Sequence, residues 1–153
     1  YKVHKAITYI STGQSIKYGN YTCLPKSTID KMINEKATWS SFSGALQKVE
    51  KDKVEVPSER GVRYFGPSKM SFLNLIKHSL SIISVFKFNV LIRSVLFLVV
   101  YLFLISENIS NITLIPFYLV ILLNILTFHF SNRESIEGLN HSLDNISTVD
   151  QIK

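Results

Sequence analysis

The chain has 153 residues and a formal net charge of +6, enough for about one modest domain. Its one cysteine, Cys23, excludes an internal disulfide, so nothing in the sequence argues for an oxidising compartment. Residues 1–93 contain 15 of the 17 Lys and Arg residues, whereas residues 90–130 contain two charged side chains, Arg93 and Glu107. A soluble domain would spread its apolar residues more evenly, so this separation indicates a membrane protein.

The first 20 residues are polar and lack the apolar core that a signal peptide needs. Because the chain starts at Tyr1 rather than at Met, we expect it to be a piece of a longer protein. These residues allow a helix that ends in a turn at residues 17–20, where Gly and Asn favour a tight backbone. A short strand is expected at residues 21–24.

Two helices and a second strand are predicted next. Pro25, followed by two hydroxyl residues, is typical of a helix start. Residues 37–49 predict a further helix, because one apolar stripe recurs there at helical spacing and is most simply a packing surface. Its members are Trp39, Phe42, Leu46 and Val49. Residues 53–57 alternate in polarity and predict a strand that ends at Pro57.

Residues 58–71 contain glycine, proline and three cations, and they predict an ordered loop before the membrane region. Ser71 is a candidate N-cap for the next helix. Residues 71–90 combine an apolar stripe with interspersed cations, a pattern typical of a helix that lies in the membrane interface. A soluble packing helix is the alternative. The stripe consists of Phe72, Ile76, Leu80, Ile83 and Phe86.

Two apolar stretches, residues 88–105 and 112–130, are each predicted to cross the membrane as a helix, since a span needs about 20 apolar residues. Arg93 lies near the cytoplasmic end of the first stretch, where its side chain can extend to the interface. The linker 106–111 is long enough only for a turn. Lys and Arg flank the two stretches, and the linker has neither. The positive-inside rule therefore predicts an integral membrane protein with two spans and both termini in the cytoplasm.

A cluster of cations precedes the predicted interface helix. Guanidinium groups bind phosphate through paired hydrogen bonds, a lysine adds a point charge, and glycine lets the backbone approach an anion. The candidate phosphate-binding residues are Arg60, Arg63, Ser68 and Lys69. Their place before an interface helix would put a bound phosphate near the lipid headgroups. The simpler alternative is a basic stretch that only attracts anionic lipid.

The stretch Arg60-Gly-Val-Arg-Tyr-Phe-Gly-Pro-Ser-Lys-Met-Ser71, followed by an amphipathic helix and a membrane hairpin, resembles the C-terminal part of a family 2 glycosyltransferase. The resemblance is to the polyprenyl-phosphate glycosyltransferases, which include dolichol-phosphate mannose synthases. Arg63, Gly66, Ser68 and Lys69 match the family's pattern of an Arg, a Gly and a Ser-Lys pair. Residues 17–26 resemble a second family segment that precedes a helix.

This resemblance implies an α/β fold class. Residues 1–70 would be the C-terminal part of a GT-A catalytic domain. A juxtamembrane helix at 71–89, a transmembrane hairpin at 90–130 and a polar cytoplasmic tail at 131–153 would follow.

The resemblance also implies transfer of a sugar from a nucleotide-sugar donor to a polyprenyl-phosphate acceptor, with a divalent metal, Mg²⁺ or Mn²⁺, as cofactor. The family's Asp-x-Asp metal motif does not occur in this sequence. The metal ligands and the donor site are therefore expected upstream, the catalytic residues stay unknown, and the chain alone is expected to be inactive.

Other functional classes have weaker support. The four histidines are scattered, and the sequence contains no Cys-x-x-Cys pair, P-loop or Gly-x-Ser-x-Gly elbow. The membrane region explains the basic excess better than nucleic-acid binding does. The alternative function is a non-catalytic membrane anchor or assembly subunit whose basic loop binds anionic lipid.

Overall fold

The computed structural model describes residues 2–16, 22–54, 56–57, 61, 66 and 71–145. The regular structure of these residues is helical. In chain order, the helices are α1 (Lys2–Thr12), α2 (Lys26–Met32), α3 (Ala37–Ser40), α4 (Phe42–Val49), α5 (Phe72–Ser84), α6 (Lys87–Ile105), α7 (Ile115–Ser131), α8 (Ile136–Asn140) and a 3-10 turn, His141–Asn145.

The predicted α/β fold class is wrong for the part of the chain that the structure describes, because that part contains helices and no strand. A strand is stable only when a neighbouring strand accepts and donates its backbone hydrogen bonds. No such neighbour lies beside residues 53–57 within the described ranges, and the side chains of Val54 and Val56 are exposed. Residues 22–24 are likewise irregular. A small helical unit therefore stands where a partial GT-A domain was expected.

Helices α2, α3 and α4 form this helical unit around an apolar core of Met32, Ala37, Ala45, Leu46 and Val85. The helix predicted at residues 37–49 is split at Ser41, which is extended with φ −155°. The Ser41 hydroxyl caps α4 by accepting a hydrogen bond from the Gly44 N–H at 3.2 Å. Because of this break, the predicted packing stripe is confirmed at Leu46 and wrong at Trp39, which is 49% exposed.

Helix α5 begins where the sequence predicted and ends earlier. The Ser71 hydroxyl accepts a hydrogen bond from the Asn74 N–H at 3.3 Å, which confirms the predicted N-cap. The helix stops at Ser84, and residues 85–86 turn the chain before α6 begins. Val85 in this turn packs into the core of the helical unit. The turn therefore connects the helical unit to the apolar helices.

Helices α6 and α7 lie antiparallel. At one end, the Lys87 ammonium donates to the Ser131 hydroxyl at 2.5 Å. At the other end, the Tyr101 hydroxyl donates to the Thr113 carbonyl, also at 2.5 Å. Helix α5 packs against both, and α1 packs against α5 and α6.

In α1 and α5–α7, the pattern of buried and exposed residue types is opposite to that of a soluble helix bundle. The buried residues of these helices include many hydroxyls: Thr8, Thr12, Ser81, Ser84, Ser94, Thr127 and Ser131, together with Ile82, Ile83 and Val90. The exposed residues include many large apolar side chains, among them Ile10, Phe72, Phe88, Leu96, Val99, Phe103 and Leu104. Small hydroxyl residues at contacts between helices are typical of membrane bundles. In water each exposed large side chain would forgo about 1.5–3 kcal/mol of burial energy. The surface of these helices therefore suits lipid.

Gly44 provides a test of how α4 packs on the turn between α5 and α6. A Cβ atom at this position would lie 2.8 Å from Cγ2 of Val85. We expect Gly44→Ala to lower the free energy of unfolding by about 1–3 kcal/mol, the usual cost of overpacking, although Ala favours a helix. Thermal unfolding of the purified protein, followed by circular dichroism, measures this change.

The control is the same substitution in a Val85→Ala background, where the clashing methyl group is gone. There Gly44→Ala should cost much less. An equal cost in both backgrounds would show that α4 does not pack on this turn.

Candidate functional site

Four residues predicted to bind phosphate lie outside the part of the chain that the structure describes: Arg60, Arg63, Ser68 and Lys69. The structure therefore neither brings them together nor separates them, and the phosphate site stays a prediction. Two glycines of the same segment, Gly61 and Gly66, are described and exposed. Gly66 has a φ of +58°, a left-handed conformation that glycine adopts without strain.

The Glu50 carboxylate holds the residues that precede the basic segment, residues 58–70. The Thr28 hydroxyl donates to Oε2 of Glu50 at 2.9 Å, and the backbone N–H groups of Lys51 and Asp52 donate to Oε1 at 3.1 and 3.3 Å. These hydrogen bonds, that from Thr28 foremost, lower the pKa of Glu50 from its ordinary value of 4.5. The ionised carboxylate therefore fixes the turn that follows α4.

Lys53 holds the same turn from the other side. Its ammonium donates to Oε1 of Gln47 at 2.8 Å and to the backbone carbonyl of Glu50. Partial burial lowers the pKa of Lys53, and the nearby Glu50 carboxylate partly offsets this effect. The chain therefore leaves the helical unit in a defined place, a few residues before Arg60.

The residues that leave the basic segment enter α5 directly. Ser71 caps this helix, and the next side chains, Phe72 and Leu73, are among the most exposed apolar residues of the described chain. Farther along, Ser81 and Ser84 are buried. The first turns of α5 are therefore apolar on the outside, as expected of an interface helix.

Two cations lie at the end of the hairpin where α6 begins and α7 ends. The Lys87 ammonium lies 5.6 Å from the ring centroid of Phe88, and the Arg133 guanidinium lies 5.8 Å from that of Phe130. Such cation–π contacts join an apolar ring to a charge that stays near water. From Ser94 to Asn132 the sequence contains no Lys or Arg. The positive charge of the hairpin therefore collects at one end.

Arg93 contacts α1 in a way that the sequence did not predict. Its guanidinium donates to the Ile10 carbonyl at 3.4 Å, and the Asn89 amide donates to the Thr12 carbonyl at 3.3 Å. Both carbonyls lie in the last turn of α1, where intrahelical donors run out and the helix dipole is negative. Gly13 follows with φ +74°, and a Cβ atom there would lie 2.5 Å from the Arg93 guanidinium. We call these contacts the α1 latch; the C-terminal signal that could have suggested it is Gly13.

The chain after α7 returns to the helical unit, although the sequence predicted only a polar tail. Lys36 and Glu134 form an ion pair at 3.7 Å, and the Glu134 side chain is largely buried. In α8, a Cβ atom on Gly138 would lie 3.0 Å from the indole of Trp39. The helical unit therefore contacts the chain directly after the hairpin as well as α5 before it.

One helix of the described chain, α6, is long and apolar enough to cross a membrane, and its surface is almost entirely exposed. Helix α7 is also apolar but has 17 residues, because residues 111–114 form a turn and Pro116 follows at the helix start. Of the two predicted spans, one is therefore confirmed as a helix that is long and apolar enough to cross a membrane, and the second is not.

The described residues contain no group of three or more His, Cys, Asp or Glu side chains that could hold a metal ion. The divalent metal that the family resemblance implies therefore stays a prediction.

The Thr28 hydroxyl gives a test of the electrostatics beside the basic segment. We expect Thr28→Val to raise the pKa of Glu50 towards 4.5, because it removes the hydrogen bond that lowers this pKa most. A lowered carboxylate pKa stabilises the fold above the unfolded-state pKa, and this contribution is lost as the pH falls through the folded-state pKa. The variant should therefore lose less stability than wild type on acidification. NMR titration of the Glu50 carboxyl carbon measures the pKa itself.

Thr38→Val is the matched control, because the Thr38 hydroxyl donates to the Met32 carbonyl instead. It should leave the pKa of Glu50 unchanged. An unshifted pKa in Thr28→Val would mean that the Thr28 hydrogen bond does not hold this carboxylate.

No family model, no curated protein and no solved structure matches the chain. The resemblance of residues 60–71 to family 2 glycosyltransferases therefore stays a prediction from the sequence. Inference about function depends on the burial and charges of the chain's own residues.

Proposed function

We propose that this chain is the membrane-anchoring part of a glycosyltransferase that transfers a sugar from a nucleotide-sugar to a polyprenyl phosphate at the cytoplasmic face of a membrane. The observation that carries the membrane part is the inverted burial of α5–α7, with hydroxyls inside and large apolar side chains outside. The sugar-transfer part is supported by the sequence pattern of residues 60–71.

Two spans fit the lengths of the apolar helices. At a rise of about 1.5 Å per residue, the 19 residues of α6 extend about 28 Å, close to a hydrocarbon core of about 30 Å. The 17 residues of α7 extend about 25 Å on the same rise, and the turn at residues 111–114 adds to this length. The slight shortfall of α7 is one that a bilayer accommodates by local thinning.

The charges of the hairpin favour one orientation. Lys87 and Arg133 lie at the end where α6 begins, whereas the linker at the other end carries Glu107 and no cation. The positive-inside rule places the end with the cations, and with it both chain termini, in the cytoplasm. A nucleotide-sugar donor would be dissolved in the cytoplasm, so the cytoplasmic side suits the proposed reaction.

The basic segment would meet a lipid-linked phosphate at this boundary. It connects the fixed turn at Glu50 and Lys53 to Ser71, and α5 then presents apolar side chains outward. In the proposed reaction an acceptor phosphate oxygen attacks the sugar's anomeric carbon, and the nucleoside diphosphate leaves with the electron pair of the broken bond. Arg60, Arg63 and Lys69 would bind and neutralise phosphate, and Ser68 would donate a hydrogen bond.

The topology can be tested by cysteine labelling of intact cells in a Cys23→Ser background. Asn108→Cys in the linker should react with a membrane-impermeant maleimide from outside, because the two spans place the linker there. Glu137→Cys in α8 should react only after the cells are permeabilised. Native Cys23, which is exposed in the structure, should behave like Glu137→Cys.

Labelling of both Asn108→Cys and Glu137→Cys from outside would show that α6 crosses and α7 does not. If Asn108→Cys reacts only in permeabilised cells, the linker is not outside and the proposed topology is wrong.

Arg63 provides the test of sugar transfer. We expect Arg63→Ala, in the protein expressed from its complete reading frame, to lower transfer from a radiolabelled nucleotide-sugar to polyprenyl phosphate by about 10- to 150-fold. This range corresponds to about 1.5–3 kcal/mol for a hydrogen bond to a charged group. Membranes that contain the variant, extracted for lipid-linked sugar, give the measurement.

Lys51→Ala is the matched control, since Lys51 is an exposed cation outside the predicted motif. It should transfer sugar at the wild-type rate. Wild-type transfer by Arg63→Ala would remove Arg63 from the site. Absence of transfer by the wild-type protein with any nucleotide-sugar would leave the alternative, an anchor whose basic segment binds anionic lipid at about 1 kcal/mol per cation.

A further inference from the structure

Helix α1 turns threonine side chains towards the rest of the protein and large apolar side chains outward. Thr8 and Thr12 face inward and are 3% and 0% exposed. Ile7, Tyr9 and Ile10 face outward, and Ile10 is 69% exposed. A helix that packs on a protein in water shows the opposite arrangement. This arrangement favours apolar surroundings for the outer face of α1.

The buried hydroxyl of Thr12 is satisfied by its own chain segment. It donates to the Thr8 carbonyl of α1 at 2.6 Å and accepts from the Gln14 N–H, just after the helix, at 3.0 Å. The inner face of α1 is therefore compact and suited to close packing. The outer face has no such partner among the described helices.

The α1 latch fixes the height of α1 relative to the first span. Asn89 and Arg93 lie within the first two turns of α6, at the end where the positive charges collect, and they bind the last carbonyls of α1. Helix α1 also packs beside α5, whose first turns expose Phe72 and Leu73. The outer face of α1 therefore adjoins surfaces that already suit lipid.

We infer that α1 is a second interfacial helix, which the α1 latch ties to the first span, with Ile7 and Ile10 inserted into the cytoplasmic leaflet and Tyr9 at headgroup level. This inference rests on the proposed membrane placement of α6. The occupant of the outer face is the lipid bilayer rather than another protein, because the apolar surfaces of α1, α5 and α6 belong to adjoining helices.

Fluorescence quenching by brominated lipids tests this placement directly. The protein has one tryptophan, so Trp39→Phe gives a background without indole emission. In vesicles of phosphatidylcholine and phosphatidylglycerol, the added variant Ile10→Trp should lose fluorescence to bromines placed near the headgroup end of the acyl chains. It should lose less to bromines near the methyl end, because an interfacial helix enters only the outer part of the leaflet.

Two variants in the same background calibrate the experiment. Leu96→Trp, in the middle of α6, should be quenched most by the deep bromines. Ile33→Trp, at an exposed isoleucine position directly after α2, should not be quenched. Quenching of Leu96→Trp without quenching of Ile10→Trp would refute the inference for α1 and leave the span intact. If neither is quenched, the proposed membrane placement itself fails.

The α1 latch predicts a further difference. Arg93→Met, added to Ile10→Trp, should reduce the quenching by shallow bromines, because α1 loses the guanidinium that holds its last turn. Lys87→Met is the matched control: it removes a cation at the same boundary that bonds Ser131 instead, and it should leave the quenching unchanged. Equal quenching in both variants would show that the latch does not position α1.

Cross-linking of Ile10→Cys to a second copy, with no quenching of Ile10→Trp, would assign the outer face of α1 to a dimer and overturn the inference.

Discussion

The structure depends on contacts between helices at which many of the buried side chains are hydroxyls. Two of these hydroxyls bond within their own helices: Thr127 donates to the Leu123 carbonyl at 2.8 Å, and Ser84 donates to the Ser81 carbonyl at 2.9 Å. These two donors are therefore paired, and the small size of the hydroxyl residues lets the helices approach closely. In water, the exposed leucine, valine and phenylalanine side chains on the outside of these helices would be unfavourable. The proposed bilayer would make this arrangement favourable, because it surrounds these side chains with hydrocarbon.

The helical unit of α2–α4 has an apolar core that includes Leu46 and Ala45, although Thr28 is also buried there and Trp39 is half exposed. The two regions meet at one end of the hairpin. Val85 contributes the turn before α6 to the core of the helical unit, and Glu134 bonds Lys36 just after α7. The helical unit is therefore held on both sides of the hairpin. The described residues before and after the basic segment belong to this unit and to α5.

The sequence predicted the features that depend on local pattern and missed those that depend on distant partners. Composition identified the apolar helices, and residue type identified Ser71 as a cap. Strand propensity at residues 53–57 failed, because a strand needs a partner that periodicity does not reveal. The apolar stripe of residues 37–49 could not show the break at Ser41, where a side-chain cap replaced a helical turn.

The candidate functional residues also include some that the sequence could predict and some that it could not. The residue types of the basic segment predict phosphate binding from chemistry alone, and its four named residues lie outside the described chain. The α1 latch could not be predicted, because Arg93 and Ile10 are 83 residues apart in sequence. A glycine such as Gly13 indicates that a helix ends, but it does not name the group that binds the freed carbonyls.

Arg93 links orientation in the membrane to the docking of α1. A guanidinium within an apolar span is unfavourable unless it reaches water or a partner. Here the partner is the negative end of α1, whose carbonyls accept its hydrogen bonds. In the proposed topology the same positive charge belongs to the set that favours the cytoplasmic side. One residue would then serve both purposes, because the latch holds α1 at the end of the first span where the cations lie.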